Sequence, residues 1–306
     1  MAAERTGAGT PAPGHRPEQA ITDAHLHLWD LEASDYAWMQ GAPTLRRTGT
    51  WEQVGPALAT LGTTRVVLVQ ADDTPGDTAH MQRTAERIEA GTAQVAAMRA
   101  DVVAWLPLEN PAQVENLLGD AAFMQRVVGV RHLVHEEPDA GFLERPAVAQ
   151  SLRMIGRAGL ALDIPDAYER HMGQVARLAG AHPGLTVVLD HLGKPPLGDA
   201  SAMRHWEQDL APIAEQENTV AKLSGLATSG DGSLEQAVEV ALALFGPDRL
   251  MFGSDWPIAP EPFDLDAGTS RLLERIRQLS PADQAQILHG TAERVYKRAG
   301  EGSEPD

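Results

Sequence analysis

RLMFGSDWP, residues 249–257, decides how many strands this chain holds. After Arg249, three apolar residues run into glycine, serine and a carboxylate, and Trp256 and Pro257 stiffen the exit. Read as a strand, it is the eighth of a series. The others, working back, are TVAKLSG (219–225), LTVVLDH (185–191), GLALDIP (159–165) and VVGVRHL (127–133). Before them come VVAWLPL (102–108), RVVLVQ (65–70) and ITDAHLH (21–27). Each is short, apolar and rich in β-branched residues, the pattern of strands buried on both faces of a parallel sheet. Between them lie amphipathic stretches such as 77–90, 147–159 and 167–180. In the last, Met172, Val175, Leu178 and Ala179 recur at three- and four-residue steps, which predicts a helix face. Eight strand–helix units in about 250 residues fit a closed (β/α)8 TIM barrel better than an open sheet.

The runs are spaced evenly, mostly near thirty residues apart, with no break for a second domain. One barrel domain is therefore expected over 21–298, flanked by a disordered tail at 1–20 and an acidic tail at 299–306. Beyond the eighth run, helical stretches are expected at 263–279, 280–290 and 291–300. Ser280 is the N-cap of the second and Pro281 its first helical residue. Residues 1–20 lack the apolar segment of a signal peptide, and no window approaches a membrane span. A cytoplasmic address is the expectation.

The formal net charge of −18 opposes binding to nucleic acid or to an anionic membrane surface. The expected partner is a small-molecule substrate, with a homo-oligomer left open. Cysteine is absent, so a thiolate nucleophile is excluded and any metal must be held by His, Asp or Glu.

Polar residues gather at the C-terminal ends of the runs, the end of a barrel where active sites are built. In D-A-H-L-H, alternation turns Asp23, His25 and His27 to one face, and the helices on the outside require that this face be the lumen. Asp23, one layer deeper, is positioned to fix the tautomer of an imidazole. The sixth run ends in Asp190 and His191, and the eighth delivers Asp255. A barrel brings these ends to one mouth. Each group alone reads equally well as a satisfied core or capping residue, but together they predict a site. Arg131 and His132 end the fourth run, Asp163 the fifth, and Lys222 and Ser224 the seventh. Lys222 is expected either to snorkel or to pair with a carboxylate such as Asp255 or Asp163. Trp29, Tyr36 and Trp38 fall in the loop after the first run, just above the mouth.

In order along residues 21–298, the strings DAHLHLWD, DYAW, GVRH, LDHLGKP, KLSGL and RLMFGSDWP resemble one branch of the amidohydrolase superfamily, that of fuconolactonase-like and pyrone-dicarboxylate-lactonase-like hydrolases. The resemblance implies a (β/α)8 barrel that hydrolyses a cyclic ester, with Asp255 as general base and His25, His27 and His191 as the site's histidines. It departs from binuclear members, which use a lysine on the fourth strand. Here the lysines are Lys194, Lys222 and Lys297. A two-metal site is not expected. His25, His27, His191 and Asp255 suffice for one divalent ion, zinc first, or work without any. Arg131, His132, Lys194 and Trp256 are expected to hold the substrate, with Trp29 and Tyr36 closing the pocket. A sugar-acid lactone is favoured, because a dicarboxylate calls for more strand-end arginines. The alternative on the same barrel is a zinc-dependent non-oxidative decarboxylase or another hydrolase of the superfamily.

Overall fold

A computed structural model describes residues 20–301. The tail expected at 1–20 and most of the one at 299–306 lie outside the described residues. All eight runs form strands: β1 (Ile21–Leu26), β2 (Thr63–Val69), β3 (Arg99–Ala104), β4 (Val127–Arg131), β5 (Ala161–Ile164), β6 (Val187–Leu189), β7 (Thr219–Leu223) and β8 (Leu250–Phe252). They pair in parallel in the order β1 to β8. The helices that cover them begin with α1 (Trp51–Leu61), α2 (Pro75–Ala90), α3 (Pro111–Leu118) and α4 (Ala121–Met124). They continue with α5 (Pro146–Arg157), α6 (Met172–Ala181), α7 (Ala200–Ala214) and α8 (Leu234–Phe245). After β8 come α9 (Leu265–Ile276), α10 (Pro281–Ala285) and α11 (Thr291–Val295), and the five residues between the last two form a wider π-helical turn. The fold is a single (β/α)8 barrel.

Two apolar layers hold it. Outward-facing strand residues such as Leu26, Leu68, Val102 and Leu162 pack on the helices. Inside, Ala24, Val67, Val103, Val128, Val188, Val220 and Met251 fill the lumen, with Val295 and Tyr296 in the same cluster. One step further along three of these strands, Asp163, Asp190 and Lys222 form a polar layer on top of the apolar one, all fully buried.

β8 does not run in a regular ladder beside β1. The seam closes instead at the strand ends, where Asp255 N–H donates to the His25 carbonyl (2.8 Å) and His27 N–H to the Trp256 carbonyl (2.8 Å). The Asp23 carboxylate spans the rest of the gap, accepting from the backbone N–H of Ser254 at 2.8 Å and of His25 at 3.2 Å. This corrects the expectation for Asp23. The register of β1 on β2 shifts between Asp23 and Leu26, so strict alternation fails, Ala24 joins the lumen, and Asp23 serves backbone rather than imidazole.

Candidate active site

Asp255 leaves β8 in the left-handed conformation (φ 58°), and two glycines make room for it. A Cβ on Gly253 would sit 2.6 Å from the His25 Cβ, and one on Gly225 would sit 2.6 Å from Asp255 Oδ2 and 2.7 Å from His191 Nδ1. The result is one carboxylate faced by three imidazoles. Asp255 Oδ1 lies 3.6 Å from His25 Nε2, 3.5 Å from His27 Nε2 and 3.7 Å from His191 Nε2. His191 gets there through four successive left-handed residues, His191 to Lys194, with φ from 55° to 74°. Such a run costs conformational energy and persists only where its surroundings enforce it. Trp206 braces it by donating its indole N–H to the Leu192 carbonyl.

The outer nitrogens of the histidines fix their roles. His27 Nδ1 donates to the Val69 carbonyl (2.8 Å), so its Nε2 presents a lone pair to the centre. His25 Nδ1 lies 3.3 Å from Asp190 Oδ1 and 3.1 Å from Lys222 Nζ, an acceptor and a donor. With its proton toward Asp190, His25 also turns a lone pair inward. His25 Nε2, His27 Nε2 and Asp255 Oδ1 then form three converging acceptors, with donor atoms all within 4.8 Å of one another. Their separations of 3.0, 3.5 and 3.6 Å match the roughly 3.3 Å edge of a tetrahedral site with bonds of about 2.0–2.1 Å. With its proton instead on Nε2, His25 donates to His27 and the pair closes on itself. His191 stands outside the trio, its Nδ1 2.9 Å from Ser224 Oγ.

Beneath His25, Lys222 Nζ meets Asp163 Oδ2 at 2.6 Å and Asp190 Oδ1 at 3.0 Å, so the expected pairing is with Asp163 and not with Asp255. Arg131 Nε binds Asp190 Oδ2 at 2.9 Å and its Nη1 donates to the Gln70 carbonyl. Tyr296 donates its hydroxyl to Asp163 from below. Burial pushes the Asp163 carboxyl up to about 6 despite Lys222. Burial also opposes the charge of Asp190, but the Lys222 ammonium and its other partners outweigh it and hold this carboxyl well below the usual range. His25 and His191 are lowered by the same burial and are neutral at pH 7. Burial works against the Asp255 charge too, yet the surrounding imidazoles hold it below the ordinary carboxylate range.

The mouth above opens into a cavity of about 170 Å³. His27, His191 and Asp255 form part of its lining, and Trp29, Arg131 and Lys194 join them as expected. Lys194 Nζ is held by Thr228 Oγ1 at 2.8 Å. The other three expected substrate contacts point elsewhere. Tyr36 is buried and donates to Asp77 Oδ1 at 2.7 Å, which packs the loop beneath the cavity. His132 stacks on Phe142 and bonds Glu137 Oε1, because it follows Arg131 and so faces the other side of the strand end. Trp256 sits edge-on against Phe263 and over Gly49. The cavity also takes Trp38, His135 and Asp166 from loops. His135 and Asp166 fall just beyond strand ends and Trp38 well into the loop after β1, and loop conformation carries no periodic signal.

The amidohydrolase family model matches residues 22–298. An L-fucono-1,5-lactonase of Burkholderia multivorans is 31% identical over 292 residues, 90% of this chain and 95% of that protein. A crystal structure of a Burkholderia multivorans amidohydrolase with bound Zn is 29% identical, superposes with a TM-score of 0.79, and matches over 90% of this chain and 99% of its own. A 5-carboxyvanillate decarboxylase of Novosphingobium aromaticivorans, complexed with manganese, shares the fold alone, with 12% identity and a TM-score of 0.61 over 92% of this chain and 97% of that one. With its barrel, its strand-end histidines and its carboxylate on the last strand, this chain belongs to the amidohydrolase family.

Proposed function

We propose that the protein hydrolyses a lactone of a sugar acid. The observation that carries this is Asp255, an ionised carboxylate at the floor of the cavity with three imidazoles turned toward it. The identity to a fuconolactonase over most of both chains supports the cyclic-ester class, whereas likeness to the decarboxylase is one of fold only.

Water adds to the lactone carbonyl, the bond from that carbon to the ring oxygen breaks, and a hydroxy acid leaves. Asp255 takes the proton from water and returns it to the departing ring oxygen. His191, packed against the His25 ring, donates to the developing oxyanion. Arg131 and Lys194 hold the carbonyl end, and Trp29 and Trp38 give the ring its apolar walls. The donor set fits one cation: His25, His27 and Asp255 would hold it, and when bound it would acidify water and polarise the carbonyl. Zinc suits the two nitrogens and one oxygen.

The test is a panel of aldono-1,5- and 1,4-lactones with a pH indicator, since each ring opened releases one proton at neutral pH. At least one lactone is expected to respond. Asp255→Asn should lower kcat/KM on it by about 10²–10⁴. Chelation should abolish turnover and zinc should restore it. Silence across the whole panel would sink the lactonase, and carbon dioxide release from an aromatic acid would replace it with the decarboxylase.

A further inference from the structure

Two residues that line the cavity have no work in this mechanism. Asp166 follows β5 with a left-handed backbone (φ 41°), lines the cavity, and keeps Oδ1 buried with no hydrogen-bond partner among the described residues. His135, from the loop after β4, lines the same cavity, and its Nδ1 is likewise buried without a partner. Among the described residues its Nε2 approaches Glu136 Oε1 at 3.8 Å, beyond hydrogen-bond reach. The Asp166 charge acts on both His135 and His191, so it lies near both imidazoles. Buried polar atoms in folded proteins nearly always find a partner, and a carboxylate oxygen left without a donor is costly.

We infer that Asp166, assisted by His135, determines specificity by accepting hydrogen bonds from hydroxyl groups on the substrate ring. This rests on the lactonase reading and narrows it. A carboxylate accepts and never donates, so its natural ligand is a ring carrying hydroxyls, and it repels a ring carrying carboxylates. Neutral His135 adds a donor or an acceptor to a neighbouring oxygen, as its tautomer allows. Arg131 and Lys194 then serve the lactone carbonyl rather than a second anionic group. The favoured substrate class is a neutral polyhydroxylated lactone, and dicarboxylate lactones are rejected.

The experiment compares an aldono-1,5-lactone with δ-valerolactone, the same ring without hydroxyls, on the wild type, Asp166→Asn and Asp166→Ala. A lost hydrogen bond to a charged group predicts that the preference for the hydroxylated ring falls about 10- to 100-fold, mostly through KM. Asp166→Asn retains the shape and can still accept, so it should fall less than the alanine variant. Equal loss on both rings, or no loss on either, would overturn the inference. If the wild type opens neither ring, the reaction proposed above fails instead. The inference is then decided by calorimetry with the open-chain polyhydroxy acid and its unhydroxylated analogue. Binding selective for the hydroxylated acid and weakened at least tenfold in Asp166→Ala supports it, and any other result overturns it.

Discussion

Gly225 is the smallest group in the site and one of the most exposed to test. It adopts φ 60°, and a Cβ there would meet Asp255 Oδ2 at 2.6 Å and His191 Nδ1 at 2.7 Å. Gly225→Ala should therefore displace both groups and lower kcat/KM on the order of 10², the cost of misplacing reacting groups by about an ångström. Gly159 also has positive φ, at 73°, but nothing lies within 4 Å of its Cβ position. Gly159→Ala should cost only backbone strain, about 1–2 kcal/mol, with kcat/KM unchanged. Similar losses of activity in the two variants would show that strain and not displacement matters. A second test concerns Lys222, whose ammonium joins Asp163, Asp190 and His25 in full burial. Lys222→Met strips buried Asp163 of its cation, leaves Asp190 with Arg131 alone, and should cost about 3–5 kcal/mol by urea denaturation, and adding Asp163→Asn should recover part of it. No recovery would mean that the pair is not the source. His25, His27, His191 and Asp255 were legible in the sequence because they interrupt apolar strands at their ends. Tyr36, His132 and Trp256 sit as close in the chain, but side-chain direction there depends on loop geometry that spacing does not encode.

At the level of elements, the eight apolar runs each become a strand, with ends displaced by up to four residues, because composition marks a strand's interior better than the last ladder bond. Only α6 starts well inside its expected stretch: residues 167–171 precede it, and the left-handed Asp166 turns the chain toward the cavity first. The seam between β1 and β8 was not legible, since it depends on a register shift and on a carboxylate standing in for strand. A comparable anchor is Asp77 in the first turn of α2. It accepts from the Tyr36 hydroxyl at 2.7 Å and from Ala71 N–H at 2.9 Å, tying the loop after β1 to the loop after β2. Burial raises its carboxyl from 3.8 to about 6, in spite of these hydrogen bonds. Between those two values the folded chain holds a proton that the unfolded chain has released. Its contribution to stability is thus present below pH 4 and is lost as pH rises through about 6, amounting to about 3 kcal/mol. Asp77→Asn removes this titration. The difference in urea stability between wild type and variant should change by that amount from pH 4 to pH 7. A difference independent of pH would mean that the carboxyl titrates alike in the folded and unfolded chains.

Across the whole molecule, the two ends of the barrel divide the work. The C-terminal ends of the strands carry the cavity and the strained backbone. The opposite end carries an ion network that binds the last residues of the domain to the strand starts. Arg65, 2% exposed, bonds Asp101 Oδ2 at 2.6 Å, Glu293 Oε1 at 2.7 Å and the carbonyl of Tyr296. Arg298 reaches Asp101 Oδ1 at 2.6 Å and also bonds Glu89, and Arg99 reaches Asp101 Oδ2 at 2.8 Å. Asp101 is fully buried, so these guanidinium groups are what allow its charge there. Composition indicates an acidic protein rich in arginine, but not that the arginines gather beneath the lumen. Tyr296 links the two ends, since its carbonyl takes Arg65 while its hydroxyl supports Asp163 under the site. In barrels of this kind chemistry belongs to one face and stability to the other. Arg65→Met should therefore cost about 3 kcal/mol, near the lower end for breaking a buried pair because Asp101 keeps Arg99 and Arg298. Denaturation midpoints read that cost, while kcat/KM per folded molecule on the responsive lactone should stay at the wild-type value. A fall in kcat/KM at unchanged stability would instead mean that Tyr296 transmits the bottom network to Asp163 and Lys222, and the division between the two faces would not hold.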